Sequence, residues 1–192
     1  MPNHGVAVTI PEPWATTLQS AREAVGDTMA SAIPPHVTLL PPTAIHPPQM
    51  PSFLEHLSAV TESVAPFEMV LSGTGTFRPV SPVVFVQVSR GIGECEALER
   101  AVRSGPIERL LDFPYHPHVT IAHHLGEDAL DRAFDELADF RCHFPVTSVE
   151  LFHHDHDGVW RVIDSFPLGG CAVASIPGFW AVVPAGGAGT RL

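Results

Sequence analysis

The chain has 192 residues, 45% of them hydrophobic, so it can bury the core of one compact domain and bulk disorder is excluded. Its formal net charge of -11 lacks the basic stripe that long duplex nucleic acid requires, but leaves room for a small anion held by local groups. All ten basic residues are arginine, so a P-loop and a nucleotidyl-lysine intermediate are both excluded, and with them ATP-driven ligation of the lysine type.

Residues 5–10 read as a first strand, stopped by Pro11 and Pro13. Trp14, Leu18, Ala21 and Val25 recur at helical spacing, and Gly26 supplies an end signal. A strand follows over Ile33–Leu40, and Pro41, Pro42, Pro47 and Pro48 mark a loop. From Pro51 or Ser52 to Val64 a helix places Phe53, Leu54, Leu57 and Val60 on one side. Strands at 67–77 and 83–88 come next. The order then restarts with a helix over Glu94–Ser104, a strand at 118–122, an acidic amphipathic helix over Glu127–Phe140, and strands at 146–152 and 159–166. The Gly-, Ala- and Pro-rich tail, 169–192, shows no periodicity.

Cys95, Cys142 and Cys171 are widely spaced, forming neither a disulfide framework nor a thiolate zinc site, which suits a reducing compartment. With no basic-then-apolar leader and no apolar run long enough to span a bilayer, the expectation is a cytoplasmic chain without membrane contact.

Two short stretches match: Pro35-His36-Val37-Thr38-Leu39 and Pro117-His118-Val119-Thr120-Ile121. Each reads as a strand entered from proline. Positions i and i+2 of a strand share a face, so His36 sits beside Thr38 and His118 beside Thr120, with Cα atoms roughly 6–7 Å apart. An imidazole and a hydroxyl so placed reach different oxygens of one bound group. Val37 and Val119 point into a core. Each stretch lies in the same order of helix, His-x-Thr strand, helix, strand, strand, so the chain reads as an internal duplication with lobes of about 1–90 and 91–168. Related by a pseudo-two-fold axis, the copies would bring both His-x-Thr faces to one cleft. The expected fold is therefore α+β: a duplicated, two-lobed α/β unit within a single domain, 1–168.

These motifs resemble those of the 2H phosphoesterases, and among them the bacterial 2′-5′ RNA ligase-like proteins, over roughly residues 5–168. The resemblance implies metal-independent hydrolysis or transfer at a phosphodiester, often a 2′,3′-cyclic phosphate or a 2′-5′ linkage, on RNA ends or small nucleotides. It implies His36 and His118 as general base and acid in an order the sequence leaves open. Thr38 and Thr120 would hold the phosphate. Two histidines can perform both proton transfers near neutral pH, and hydroxyl donors stabilise charge growing on the non-bridging oxygens. No cofactor or metal is expected, and a monomer is. An inert nucleotide-binding relative is the chief alternative.

Other residues are candidates by type. Phe77 and Tyr115 could stack on a base, or be ordinary core or rim aromatics. Arg78 follows Phe77 and could meet phosphate. His116 shares strand parity with His118 and could line the rim, whereas His123 has the opposite parity and reads as structural. The run His153-His154-Asp155-His156-Asp157 could hold a metal in a different enzyme class, but Asp157-Gly158 between two strands reads more simply as a solvated hairpin turn.

Overall fold

A computed structural model describes residues 3–107, 109–111, 113–154 and 158–169. In chain order the elements are β1 (Asn3–Thr9), α1 (Trp14–Ala24), β2 (His36–Ala44), α2 (Met50–Glu62), β3 (Phe67–Thr76), β4 (Val83–Arg90), α3 (Ile92–Arg103), β5 (His118–His123), α4 (Glu127–Glu136), β6 (Arg141–Val146), β7 (Ser148–His154) and β8 (Trp160–Pro167). Helix α1 stops where expected. Gly26 takes φ +91°, and the amide of Asp27 caps the Arg22 carbonyl at 3.0 Å. Helix α3 carries Glu94 in its first turn and Arg100 and Arg103 in its last, complementing its dipole, and buries Leu98 and Val102 completely.

The eight strands form one curled antiparallel sheet in the order β6-β3-β4-β5-β2-β1-β7-β8. Its centre is a single pairing, Val37 with Val119. The order reads alike outward from that point: β2 with β1 on one side, β5 with β4 on the other. Each pair is a β-α-β unit, β1-α1-β2 or β4-α3-β5. The helices cross, α1 packing under β5 and α3 under β2. The pseudo-two-fold axis is as expected, but the repeat is not: β4 is the counterpart of β1 and opens the second unit, where the sequence order had it close the first.

The halves of the sheet are not the chain segments 1–90 and 91–168. Strands β3 and β4 lie with β5 and β6, while β7 and β8 lie with β1 and β2. The β3–β4 hairpin docks through β4 on β5, and the β7–β8 hairpin docks through β7 on β1. The end of each half thus crosses to the other side. Residue 169 belongs to the body, its amide bonding the Thr61 carbonyl at 3.0 Å; the remainder of the tail lies outside the described residues.

Two local expectations fail. Strand β2 runs through Pro41 and Pro42, because they form a bulge opposite Gly5, where the ladder needs no amide: Val6 pairs with Leu40 and His4 with Thr43. Strand β6 was not expected. Its alternating burial is clear, but it is an edge strand that tolerates Pro145 and carries Arg141 and His143 outward.

Val37, Leu39, Val119 and Ile121 are at most 1% exposed on the helix-covered side. Each such side chain contributes about 1.5–3 kcal/mol of burial. That driving force holds β2 and β5 in a phase that turns His36, Thr38, His118 and Thr120 to the opposite, concave face.

Candidate active site

Pairing Val37 with Val119 in antiparallel strands sets His36 opposite Thr120 and Thr38 opposite His118. Residues directly opposed in this way have Cα atoms about 4.5–5.5 Å apart. Both histidines and both threonines therefore converge, each histidine beside a threonine from the other half. Among the described residues, neither threonine hydroxyl is committed to a hydrogen bond.

The two imidazoles are held alike. His36 Nδ1 lies 2.7 Å from the Pro34 carbonyl, and His118 Nδ1 lies 2.7 Å from the His116 carbonyl. A carbonyl only accepts, so each Nδ1 carries hydrogen and donates it. This leaves each Nε2 as the exchangeable position: a lone pair when the ring is neutral, an N–H when it is charged. The proline-entered strand explains the geometry, because residue i-2 lies in extended backbone next to the ring.

Their surroundings differ. His36 packs against Trp160, with ring centroids 4.8 Å apart and planes 28° apart, and against Phe152 at 6.2 Å. Burial pushes it down to about 4, reinforced by the nearby Arg22 and His118 charges and opposed by the Pro34 bond. His118 meets Phe77 and Phe85, each with a ring centroid at 5.0 Å. Burial holds it below its usual 6.5, opposed by the bond to the His116 carbonyl and reinforced by the His116 charge.

Two adjoining cavities flank the motif and share Thr38 and Pro41 as a common wall. One, of about 630 Å³, is lined by His36, Thr120, Arg22, Asp27, His123 and Trp160 among others. The other, of about 520 Å³, is lined by His118, Phe77, Val80, Phe113, Tyr115 and His116 among others. The first is the more polar, and its Asp27 carboxylate is paired with Arg22 at 2.8 Å. The second is a largely apolar slot.

Phe77, Tyr115 and His116 thus all line the slot beside His118. The Tyr115 hydroxyl donates to the Thr38 carbonyl at 2.9 Å, so its ring is a wall and its oxygen braces β2. Arg78 departs from expectation. Its guanidinium bonds Glu127 and Asp131 of α4, both at 2.8 Å, and it lines neither cavity. His123 also departs from expectation: with His124 it lines the polar cavity. A bulge at Ile121 reverses the parity, since Phe85 pairs with Thr120 but Val84 with Ala122. Trp160 was not singled out by sequence reasoning; its only signal was an aromatic opening a strand after a turn. His153 lies against His4, with ring centroids 5.1 Å apart. Asp155, His156 and Asp157 lie outside the described residues, among which no group of three or more His, Cys, Asp or Glu is placed to hold a metal.

A curled sheet of two related halves, with a His-x-Thr strand from each meeting at its centre, defines a 2H phosphoesterase-type protein. The sequence profile of the 2′-5′ RNA ligase superfamily matches residues 10–158, and the chain belongs to that superfamily. A curated relative in Halalkalibacterium halodurans, which carries a provisional phosphoesterase name, is 28% identical over 169 residues, covering 87% of this chain and 98% of its own. The crystal structure of TT0787 of Thermus thermophilus aligns with a TM-score of 0.62 at 23% identity, over 88% of this chain and 98% of that one. E. coli LigT complexed with 3′-AMP aligns at 0.60 and 16% identity, over 88% of this chain and 99% of that one. These likenesses show a shared fold, and the family supports a phosphoesterase function.

Proposed function

We propose that the chain is a metal-independent phosphodiesterase that opens 2′,3′-cyclic phosphates, or cleaves and forms 2′-5′ linkages, on RNA ends or small nucleotides. The observation that carries this reading is the central register, which sets His36 against Thr120 and His118 against Thr38 with both Nδ1 atoms tied back to carbonyls.

His36 is the base and His118 the acid. Both imidazoles resist protonation, and His36 resists it more. The form with His36 neutral and His118 charged therefore outweighs its mirror image. His36 Nε2 takes a proton from water as the water oxygen bonds phosphorus. The bond from phosphorus to one ribose oxygen breaks, and that oxygen takes the proton from His118 Nε2. Thr38 and Thr120 donate to the non-bridging oxygens, where charge grows. The leaving ribose lies on the His118 side, so its base falls into the apolar slot beside Phe77, Phe113 and Tyr115. Water enters from the polar cavity beside His36. The 3′-AMP bound by LigT is a small nucleotide of the kind this slot suits. One chain supplies all four groups, so a monomer suffices.

The test is turnover of 2′,3′-cyclic nucleotides in EDTA. Turnover by the wild type, with loss of about 10²-fold or more in His36→Ala and in His118→Ala, is expected. An inactive wild type that still binds 3′-AMP would favour a binding module.

A further inference from the structure

Trp160 opens β8 and lies nearly face to face with His36, at 4.8 Å and 28°. Four contacts hold the indole in place, one of them the His154 ring at 5.8 Å. Its backbone amide donates to the Ala32 carbonyl at 2.9 Å, tying it to the segment whose Pro34 carbonyl takes the His36 Nδ1 hydrogen. Phe152 packs beside it at 5.5 Å. Gly5 of β1 lies beneath: a Cβ there would come to 3.5 Å from the indole carbons and 3.2 Å from the Leu40 carbonyl oxygen. The Cβ alone would touch the ring at ordinary contact distance, so it is the added methyls of a branched side chain at position 5 that would press on the indole. The equivalent surface of His118 differs, since Phe77 meets it edge-on at 90° and Phe85 at 55°.

We propose that Trp160, seated on Gly5, is a positioning residue that fixes the plane of the His36 imidazole and shields one face of the ring from water, so that the base is His36 and not His118. This rests on the phosphodiesterase reading only for the word base; the seat itself does not. Two effects compete at such a stack. The π face of indole attracts an imidazolium, by about 0.5–1 kcal/mol at exposed sites. Excluding water disfavours the imidazolium, by up to about 3–5 pH units for a fully buried group. Exclusion wins here, consistent with the depression of His36 to about 4. The other charged or titratable groups near this ring are Arg22 from α1, His118 from β5, and Asp27, His123 and His124 on the cavity wall. His154 of β7 faces the indole itself.

NMR titration of the histidine ring signals, on the full chain without substrate, tests this. In Trp160→Ala the His36 midpoint should rise by about one pH unit or more, with His118 unmoved. Trp160→Phe should stay near the wild type. Gly5→Val, which displaces the indole without deleting it, should shift His36 in the same direction and decides the matter if Trp160→Ala does not fold. A His36 midpoint that stays put or falls in folded Trp160→Ala or Gly5→Val overturns the proposal. Where the wild type turns over cyclic nucleotides, the acid limb of kcat/KM must move with the midpoint. A shifted midpoint with no turnover in any variant would sink the phosphodiesterase reading and leave the seat standing.

Discussion

Lowering the pH from 7.5 to about 5.5 should speed the enzyme. On the proposed mechanism, the competent free form has His36 neutral and His118 charged. His36 is neutral above about 4, and His118 is charged only below a midpoint that burial holds under 6.5. An imidazole titrating at 6.5 is about one-tenth protonated at pH 7.5, and His118 falls short of that. So kcat/KM at pH 7.5 should be less than about a tenth of its maximum, and that maximum should lie between pH 4 and 6.5. The bound substrate is an anion lying against both rings, which stabilises their charged forms. Both limbs of the kcat profile should therefore lie at higher pH than those of kcat/KM. The assay is initial-rate turnover of a 2′,3′-cyclic nucleotide from pH 3.5 to 9 at constant ionic strength in EDTA. A kcat/KM optimum above pH 7, or a rate that keeps rising with pH, would refute the assignment.

Stability should also fall in acid. His36 titrates near 4 folded and near 6.5 unfolded, so the unfolded chain binds the extra proton between those values. The contribution is present above pH 6.5 and is lost as pH falls towards 4. It amounts to at most roughly 3 kcal/mol, read as a falling denaturant midpoint; a midpoint flat over that window would contradict the partial burial of His36. Tyr115→Phe removes the bond to the Thr38 carbonyl and should cost about 1 kcal/mol in urea unfolding. Arg78→Ala should leave kcat/KM within about twofold, because its guanidinium is engaged by α4 and not by the cleft; a loss of about tenfold or more would restore it as a phosphate ligand.

The His-x-Thr strands were legible because their information is local. Period-2 alternation after a proline places His36 beside Thr38 whatever the rest of the chain does. A duplication with a pseudo-symmetric cleft followed from repeated element order, but not where each unit begins. Which strands become neighbours did not follow, since β7 docks on β1 across about 140 residues. The same distance hid Trp160, whose role depends on Gly5 and His36, both far away in sequence. Arg78 misled because its carboxylate partners lie 49 and 53 residues further on. His123 misled because a single bulged residue reverses strand parity, and nothing in Thr120-Ile121-Ala122 announces a bulge.

The central claim is that one imidazole activates the attack and the other protonates the leaving oxygen. It is tested most directly by changing the leaving group. His118→Ala should lose about 10²–10⁴-fold on a ribose leaving group, yet less than about tenfold on a p-nitrophenyl phosphodiester, whose phenolate needs no acid. His36→Ala should lose about 10²-fold or more on both. Equal losses for the two variants on both substrates would contradict the division of labour between His36 and His118.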